Sequence, residues 1–134
     1  FVLGGTATFA QDDANVVQLI SIPAEGAGKI VQSGVGTLDI AGLTLDAAEV
    51  TAGTLNIGES VVLNGETSEI SVSGQGRLNL AYEGEKAVKA LYRGTRQRHA
   101  GVYSATGYGR NYITGTGALN VQTGEFRGLS LIFR

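Results

Sequence analysis

Gly36-Thr37-Leu38-Asp39-Ile40 is followed, 17 residues later, by Gly53-Thr54-Leu55-Asn56-Ile57. Both follow the five-residue pattern Gly-x-Leu-(Asp/Asn)-aliphatic, in which x is any residue. Further copies, at spacings of 23 and 41 residues, are Gly76-Arg77-Leu78-Asn79-Leu80 and Gly117-Ala118-Leu119-Asn120-Val121, and a weaker copy is Gly5-Thr6-Ala7-Thr8-Phe9. Apolar and polar residues alternate inside each copy, which is typical of a β-strand with one buried face. The preceding Gly permits the positive φ of a tight corner. Repeats of this length indicate a solenoid.

These patterns predict one all-β domain over residues 1–134, built as a short β-solenoid (β-helix) with Gly corners. A β-sandwich or jelly roll is the alternative, because Asn64-Gly65 between two apolar runs is a strong hairpin signal. Glu83–Leu91 is rich in helix formers, and a short helical turn there stays open.

Composition excludes several classes of protein. The 134 residues suit one domain, and 43% hydrophobic content is too high for a disordered polar chain. The 21 Gly residues follow no three-residue period, which excludes collagen. With no Cys, the chain has no disulfide, thiolate nucleophile or Cys-based metal site. No apolar run approaches the ~18 residues of a membrane-spanning helix.

The residues that carry enzymatic chemistry are scarce. Asp12-Asp13 is the only adjacent carboxylate pair, and no calcium-loop spacing surrounds it. His99 is the only histidine, and no nucleophile-elbow motif surrounds any serine. We therefore expect no enzyme activity, no catalytic residue, no cofactor and no metal site. Asp12-Asp13 is expected to lie in a solvated turn, and His99 at a surface or interface.

Charge is divided unevenly along the chain. Residues 1–76 hold nine acidic side chains and one basic side chain, whereas residues 77–134 hold nine basic and three acidic, so the halves carry −8 and +6 and sum to −2. All five tyrosines lie in the basic half, interleaved with arginines. Such asymmetry indicates an interaction surface, although the two halves could also neutralise each other within one molecule.

A family resemblance rests on three stretches of the basic half. They are Ala90-Leu91-Tyr92-Arg93-Gly94, Ala100-Gly101-Val102-Tyr103-Ser104-Ala105-Thr106-Gly107, and Ile113-Thr114-Gly115-Thr116-Gly117-Ala118-Leu119-Asn120-Val121. Together they resemble the recurring unit of autotransporter-associated β-strand repeat proteins, secreted bacterial proteins with β-helical passenger regions. The resemblance implies an extracellular or cell-surface location. A first residue other than Met favours a chain trimmed of a signal peptide, and a fragment without a leader would look the same. The Arg93, Arg96 and Arg98 cluster departs from the family, which has few basic residues there.

The leading functional prediction is a structural subunit that self-assembles head to tail into a filament or surface fibre. Apolar termini and the acidic and basic halves would supply the contacts between copies. The predicted subunit interface comprises Phe1, Val2, Leu3, Arg93, Arg96, Arg98, Leu129, Leu131, Ile132 and Phe133. The alternative is a carbohydrate-binding or adhesin passenger module that holds glycan through its Tyr and Arg side chains. We expect no nucleic-acid partner, because the sequence pI is about 5.3.

Overall fold

The structure, a computed structural model, describes residues 6–10, 12–13, 17–20, 27–40 and 44–124. These residues form β-strands and no helix, which confirms the all-β prediction. The strands are β1 (Thr6–Phe9), β2 (Val17–Ile20), β3 (Ala27–Gln32), β4 (Thr37–Ile40), β5 (Thr44–Val50), β6 (Thr54–Gly58), β7 (Val62–Leu63), β8 (Glu69–Val72), β9 (Arg77–Ala81), β10 (Glu85–Val88), β11 (Ala90–Arg93), β12 (Arg96–Gln97), β13 (Gly101–Ser104), β14 (Ile113–Gly115) and β15 (Ala118–Val121).

Two large sheets share the strands in alternation. The first sheet has the order β1-β3-β5-β8-β11-β12, with β7 also beside β5, and the second has the order β2-β4-β6-β9-β14. Neighbours pair in parallel in both sheets, except that β12 runs antiparallel to β11. A smaller third sheet has the order β10-β15-β13. Spatial order in the two large sheets therefore follows chain order.

Three of the four strong repeats lie side by side in the second sheet. Leu38, Leu55 and Leu78 are register partners on β4, β6 and β9, and all three are fully buried. The aliphatic residue two positions later in each copy forms a second buried row, and Asp39, Asn56 and Asn79 stand between the rows. The alternation in the repeat therefore defines one apolar face of the sheet.

The fourth copy and the weak copy lie elsewhere. Ala118–Val121 is β15, which pairs with β10 and β13 in the third sheet. The weak copy contains β1, the first strand of the first sheet. The next strand beside β9 is instead Ile113–Gly115, whose Ile113 is the register partner of Leu78.

A close approach between successive turns explains one of the predicted Gly corners. Gly53 has φ of 62°, and a Cβ there would overlap the carbonyl oxygens of Gly34 and Gly36 and lie 2.9 Å from the carbonyl carbon of Val35. The Thr54 amide also donates a 2.9 Å hydrogen bond to the Gly36 carbonyl. The turn before β6 thus rests directly on the turn before β4, which only Gly allows.

The structure decides two local questions that the sequence left open. Glu83–Leu91 contains no helical turn, because β10 pairs in parallel with β15, and β11 pairs in parallel with β8, so both satisfy their backbone groups between strands. Tertiary pairing has outweighed the helix propensity of this stretch.

Asn64-Gly65 is not the turn of a hairpin. Both β7 and β8 pair in parallel with β5, so the chain keeps its direction. The backbone amide of Asn64 donates to Ser68 Oγ, and Asn64 Oδ1 accepts from the backbone amide of Glu66, both at 2.8 Å. Ser68 Oγ in turn donates to the Leu45 carbonyl of β5. Asn64 closes a local loop on β5, and the signal that favoured a sandwich or jelly roll is lost.

Candidate binding surface

The Tyr- and Arg-rich segment lies at one end of the strand stacks. It follows β11 and includes β12 and β13, which are edge strands of the first and third sheets, and it runs into β14, the edge of the second. We call the segment Arg93–Tyr112 the basic end. It contains Arg93, Arg96 and Arg98 of the predicted subunit interface, together with His99; Arg96 is exposed, and the other three are half-buried.

Two glycine turns shape the basic end. β11 and β12 are joined through Gly94 and Thr95, and Gly94 has φ of 67°, as the first position of a type II′ hairpin turn requires. Beyond β13, the Ser104 amide donates to the Tyr108 carbonyl at 2.7 Å, and the Tyr112 and Ile113 amides both donate to the Gly109 carbonyl, at 2.9 and 2.7 Å. These bonds fix the backbone on both sides of Tyr108.

Three rings form a contiguous cluster. The ring centroid of Tyr108 lies 4.7 Å from that of His99, in an edge-to-face arrangement, and 5.6 Å from that of Tyr103. The Tyr103 hydroxyl donates a 2.7 Å hydrogen bond to the His99 carbonyl. Tyr103 is 1% exposed, whereas Tyr108 is 59% exposed. Tyr108 is therefore an exposed ring supported from behind by a buried one.

The side chains of Arg93 and Arg98 interact with buried tyrosines of the basic end. The Arg93 guanidinium lies 4.8 Å from the centroid of the buried Tyr112 ring and donates to the Val72 carbonyl at 3.1 Å. Burial raises the pKa of Tyr103 and of Tyr112, and the nearby Arg98 cation acts in the opposite direction on both. Both arginines are half-buried, so they pack as well as carry charge.

Arg96 and Arg110 are exposed and supply charge without such packing. Arg96 stands opposite Arg93 in the β11–β12 register, and like charges in that relation repel. Within the described ranges, the ion pairs are Lys29–Glu49 and Lys89–Glu69, each at 3.7 Å, and no carboxylate pairs with an arginine of the basic end. Positive charge there is not balanced by neighbouring carboxylates of the described chain.

The other predicted interface residues, Phe1, Val2, Leu3, Leu129, Leu131, Ile132 and Phe133, lie outside the described residues. Asp12 and Asp13 are exposed, as expected for a solvated turn. In the part of the chain that the structure describes, no group of three or more His, Asp or Glu side chains is placed to hold a metal ion. Those same residues include no helix able to cross a membrane.

Sequence reasoning missed a shallow depression on the first sheet. Ala47 lies between its register partners Lys29 and Glu69, and Glu49 and Tyr92 also line the depression. The small Ala side chain between longer neighbours creates it. No signal in the sequence could reveal it without the register that brings residues about 20 positions apart into contact.

A second missed feature is the packing of Tyr82. Its hydroxyl donates to the Ala118 carbonyl at 2.7 Å, and Lys86 Nζ lies 5.0 Å from its ring centroid. The ring fills the space where a Cβ of Gly117 would lie, which accounts for Gly at that position. Lys86 also donates to the Glu59 and Val61 carbonyls, both at 2.9 Å, so this cation is committed to the structure.

No protein-family model, no curated protein sequence and no solved structure matches the chain. The resemblance to autotransporter-associated β-strand repeats stays a prediction.

Proposed function

We propose that the chain is a structural extracellular β-protein, a short β-solenoid whose copies associate head to tail into a filament or surface fibre. One observation carries this proposal: strand order in both large sheets follows chain order. The division of charge along the sequence then becomes a separation of charge along the stack.

The solenoid interpretation is supported by three features of the sheets. Successive strands alternate between the first and second sheets from β1 to β6. Adjacent strands of the second sheet pair in parallel and in register, and the first four lie 17 to 23 residues apart along the chain. The approach of Gly53 to the preceding turn stacks corner on corner. Neighbouring strands lie about 4.8 Å apart, so each repeat lengthens the stack by that distance.

Charge changes sign along the stack. Asp12 and Asp13 lie between β1 and β2, at the first end of the stack. The acidic side chains Asp39, Asp46, Glu49, Glu59, Glu66 and Glu69 belong to β4 through β8 and their connections, in the middle of the stack, whereas the arginines begin at β9. Among the described residues, Lys89–Glu69 is the one ion pair that joins the halves. Its side chains are 46% and 42% exposed, so it contributes at most about 1 kcal/mol.

A basic end that meets an acidic end makes a heterologous contact. Such a contact uses two different surfaces, so it repeats from copy to copy instead of closing a dimer. Opposite charges also favour one orientation of approach, because like ends repel. Exposed charges interact over about 10 Å at 0.1 M salt, so this contact weakens as salt rises.

The test reverses charge at the basic end without disturbing its packing. The variant R96E/R110E changes two exposed arginines and spares Arg93 and Arg98. The control K29E/K89E makes the same change in net charge away from the basic end. It also reverses the lysines of both ion pairs, so circular dichroism checks that the control is folded. Sedimentation velocity and electron microscopy at low and high salt measure assembly.

We expect filaments of wild-type protein and of the control at low salt, and their loss at high salt. R96E/R110E is expected to stay a folded monomer at both salt concentrations. Filaments of R96E/R110E that match wild type would refute the electrostatic contact. Folded wild-type monomers under every condition would refute self-assembly itself.

A further inference from the structure

We propose that the basic end is also a binding site for an acidic polysaccharide, with Tyr108 as the platform for one sugar ring and Arg96, Arg98 and Arg110 as partners of its carboxylates. This inference goes beyond the proposed self-assembly, because a single copy of the chain is sufficient for it. The site combines one exposed aromatic ring with cations that form no ion pair with a carboxylate of the described residues.

The ring is presented in a form suited to stacking. Tyr108 has more than half of its surface open, and its backbone is fixed by the hydrogen bond from Ser104. His99 and Tyr103 pack against it, so the side chain is already ordered before a ligand arrives. A preordered ring loses little conformational entropy on binding, and its apolar surface can cover the C–H face of a sugar.

The arginines favour a ligand that carries negative charge. A guanidinium offers a planar pair of N–H donors that matches a carboxylate, and such charge-assisted hydrogen bonds are stronger than neutral ones. Arg96 opposes Arg93 across the hairpin, so a bound anion also relieves a repulsion already present in the folded chain. A neutral glycan would gain neither contribution.

A single-stranded nucleic acid fits this end less well. Such strands bind along grooves where successive bases stack on successive rings. At the basic end, Tyr103 and Tyr112 are 1% and 7% exposed, and Arg93 lies over the Tyr112 ring. One open ring accommodates one stacked unit, which suits a sugar chain held mainly by its charges.

Addition of a peptide strand at β12 is also disfavoured. β12 is the edge of the first sheet and is only two residues long. It carries Arg96 and stands next to Arg93, and short charged edges resist strand pairing. Recognition at β12 therefore depends on side chains.

The experiment measures binding of a defined galacturonate oligosaccharide to the full chain by calorimetry, at a protein concentration at which sedimentation shows monomer. Neutral maltooligosaccharide tests the need for charge, polyglutamate tests whether charge alone is sufficient, and single-stranded oligonucleotide tests the rejected class. Y108A removes the ring, Y108F retains it, and R96Q/R110Q removes two charges. V62A alters an exposed valine on β7 as the control.

We expect Y108A and R96Q/R110Q each to weaken galacturonate binding about tenfold or more, and Y108F and V62A to retain wild-type affinity. R96Q/R110Q should also reduce the dependence of binding on salt. The proposal is overturned if galacturonate does not bind, if Y108A binds as wild type does, or if polyglutamate or the oligonucleotide binds as tightly. Binding by monomers that form no filament would support this site and refute the proposed assembly; filaments without binding would do the reverse.

Discussion

Substitution of Gly53 by Ala tests the stacking of turns on which the arrangement of the second sheet depends. The added methyl group would overlap the Gly34 and Gly36 carbonyl oxygens, which belong to the preceding repeat. Those atoms are backbone, and the Gly36 carbonyl also accepts the 2.9 Å hydrogen bond from the Thr54 amide. Relief by movement would therefore disturb the pairing of β4 with β6.

Gly94 provides a matched control for the backbone conformation alone. Its φ is 67°, against 62° for Gly53, but a Cβ at Gly94 would have no atom within 4 Å. A sparsely populated conformation with positive φ costs an Ala residue about 1–3 kcal/mol in either position. Overpacking adds about 1–3 kcal/mol at Gly53 only. We therefore expect G94A to lose about 1–3 kcal/mol of unfolding free energy, and G53A about 2–6 kcal/mol.

Urea unfolding followed by far-ultraviolet circular dichroism measures both losses. The comparison requires equal denaturant slopes, so that a shift in midpoint reports stability. Equal losses in G53A and G94A would refute the stacking of the 34–36 turn against Gly53, since only crowding distinguishes the two sites. A variant G53A that fails to fold while G94A folds would agree with the structure.

Two further outcomes follow from buried side chains. L55A should lower the unfolding free energy by about 2–5 kcal/mol, because Leu55 is fully buried between Leu38 and Leu78, whereas T54A should cost less than about 1 kcal/mol in the same urea experiment. Burial raises the pKa of Tyr82, with the Glu59 carboxylate adding to the effect, so above pH ~10 the unfolded chain loses this proton first. Stability should be insensitive to this group below that pH and fall as pH rises further; Y82F should show a smaller fall, and an equal fall would assign it to other groups.

The two buried rows of the second sheet could be predicted from the repeat, because its pattern gives the positions of the apolar residues and the face of the strand on which they lie. Leu at the third position and an aliphatic residue at the fifth lie on the same side of a strand. Three copies obey this rule in register. The copy at Ala118–Val121 follows the same sequence pattern but lies in the third sheet, because Ile113–Gly115 already pairs with the free edge of β9. A repeat specifies the local alternation but not which neighbour is available.

The hairpin signal at Asn64-Gly65 does not correspond to a hairpin in the structure for a related reason. The pair is suited to a hairpin, but the Asn64 side chain accepts a hydrogen bond from the Glu66 backbone amide. Ser68 Oγ accepts from the Asn64 backbone amide and donates to the Leu45 carbonyl of β5. Parallel pairing with a strand about 20 residues earlier then fixes the direction of β8. Contacts of that separation are invisible to a dipeptide signal.

The sequence shows that the basic end is rich in Arg and Tyr, but it does not predict which of these side chains are exposed. Arg and Tyr interleave from Arg93 to Tyr112, which indicates a surface segment. Tyr103 and Tyr112 are nevertheless buried, and Tyr108 between them is exposed. Glycine turns in this stretch interrupt the alternation that assigns faces in a strand, so the sequence alone could not distinguish the platform ring from the packed ones.

Parallel stacking makes neutralisation within one molecule difficult for this chain. In a stack whose order follows the sequence, oppositely charged segments meet only where they adjoin along the chain, and Lys89–Glu69 is such a contact. Among the described strands, antiparallel pairing is found at β12 and β13, inside the basic half, and β12 brings Arg96 back towards Arg93. The reversal concentrates positive charge instead of offsetting it. Under the two proposals above, an acidic end of a second copy and an acidic polysaccharide compete for this surface.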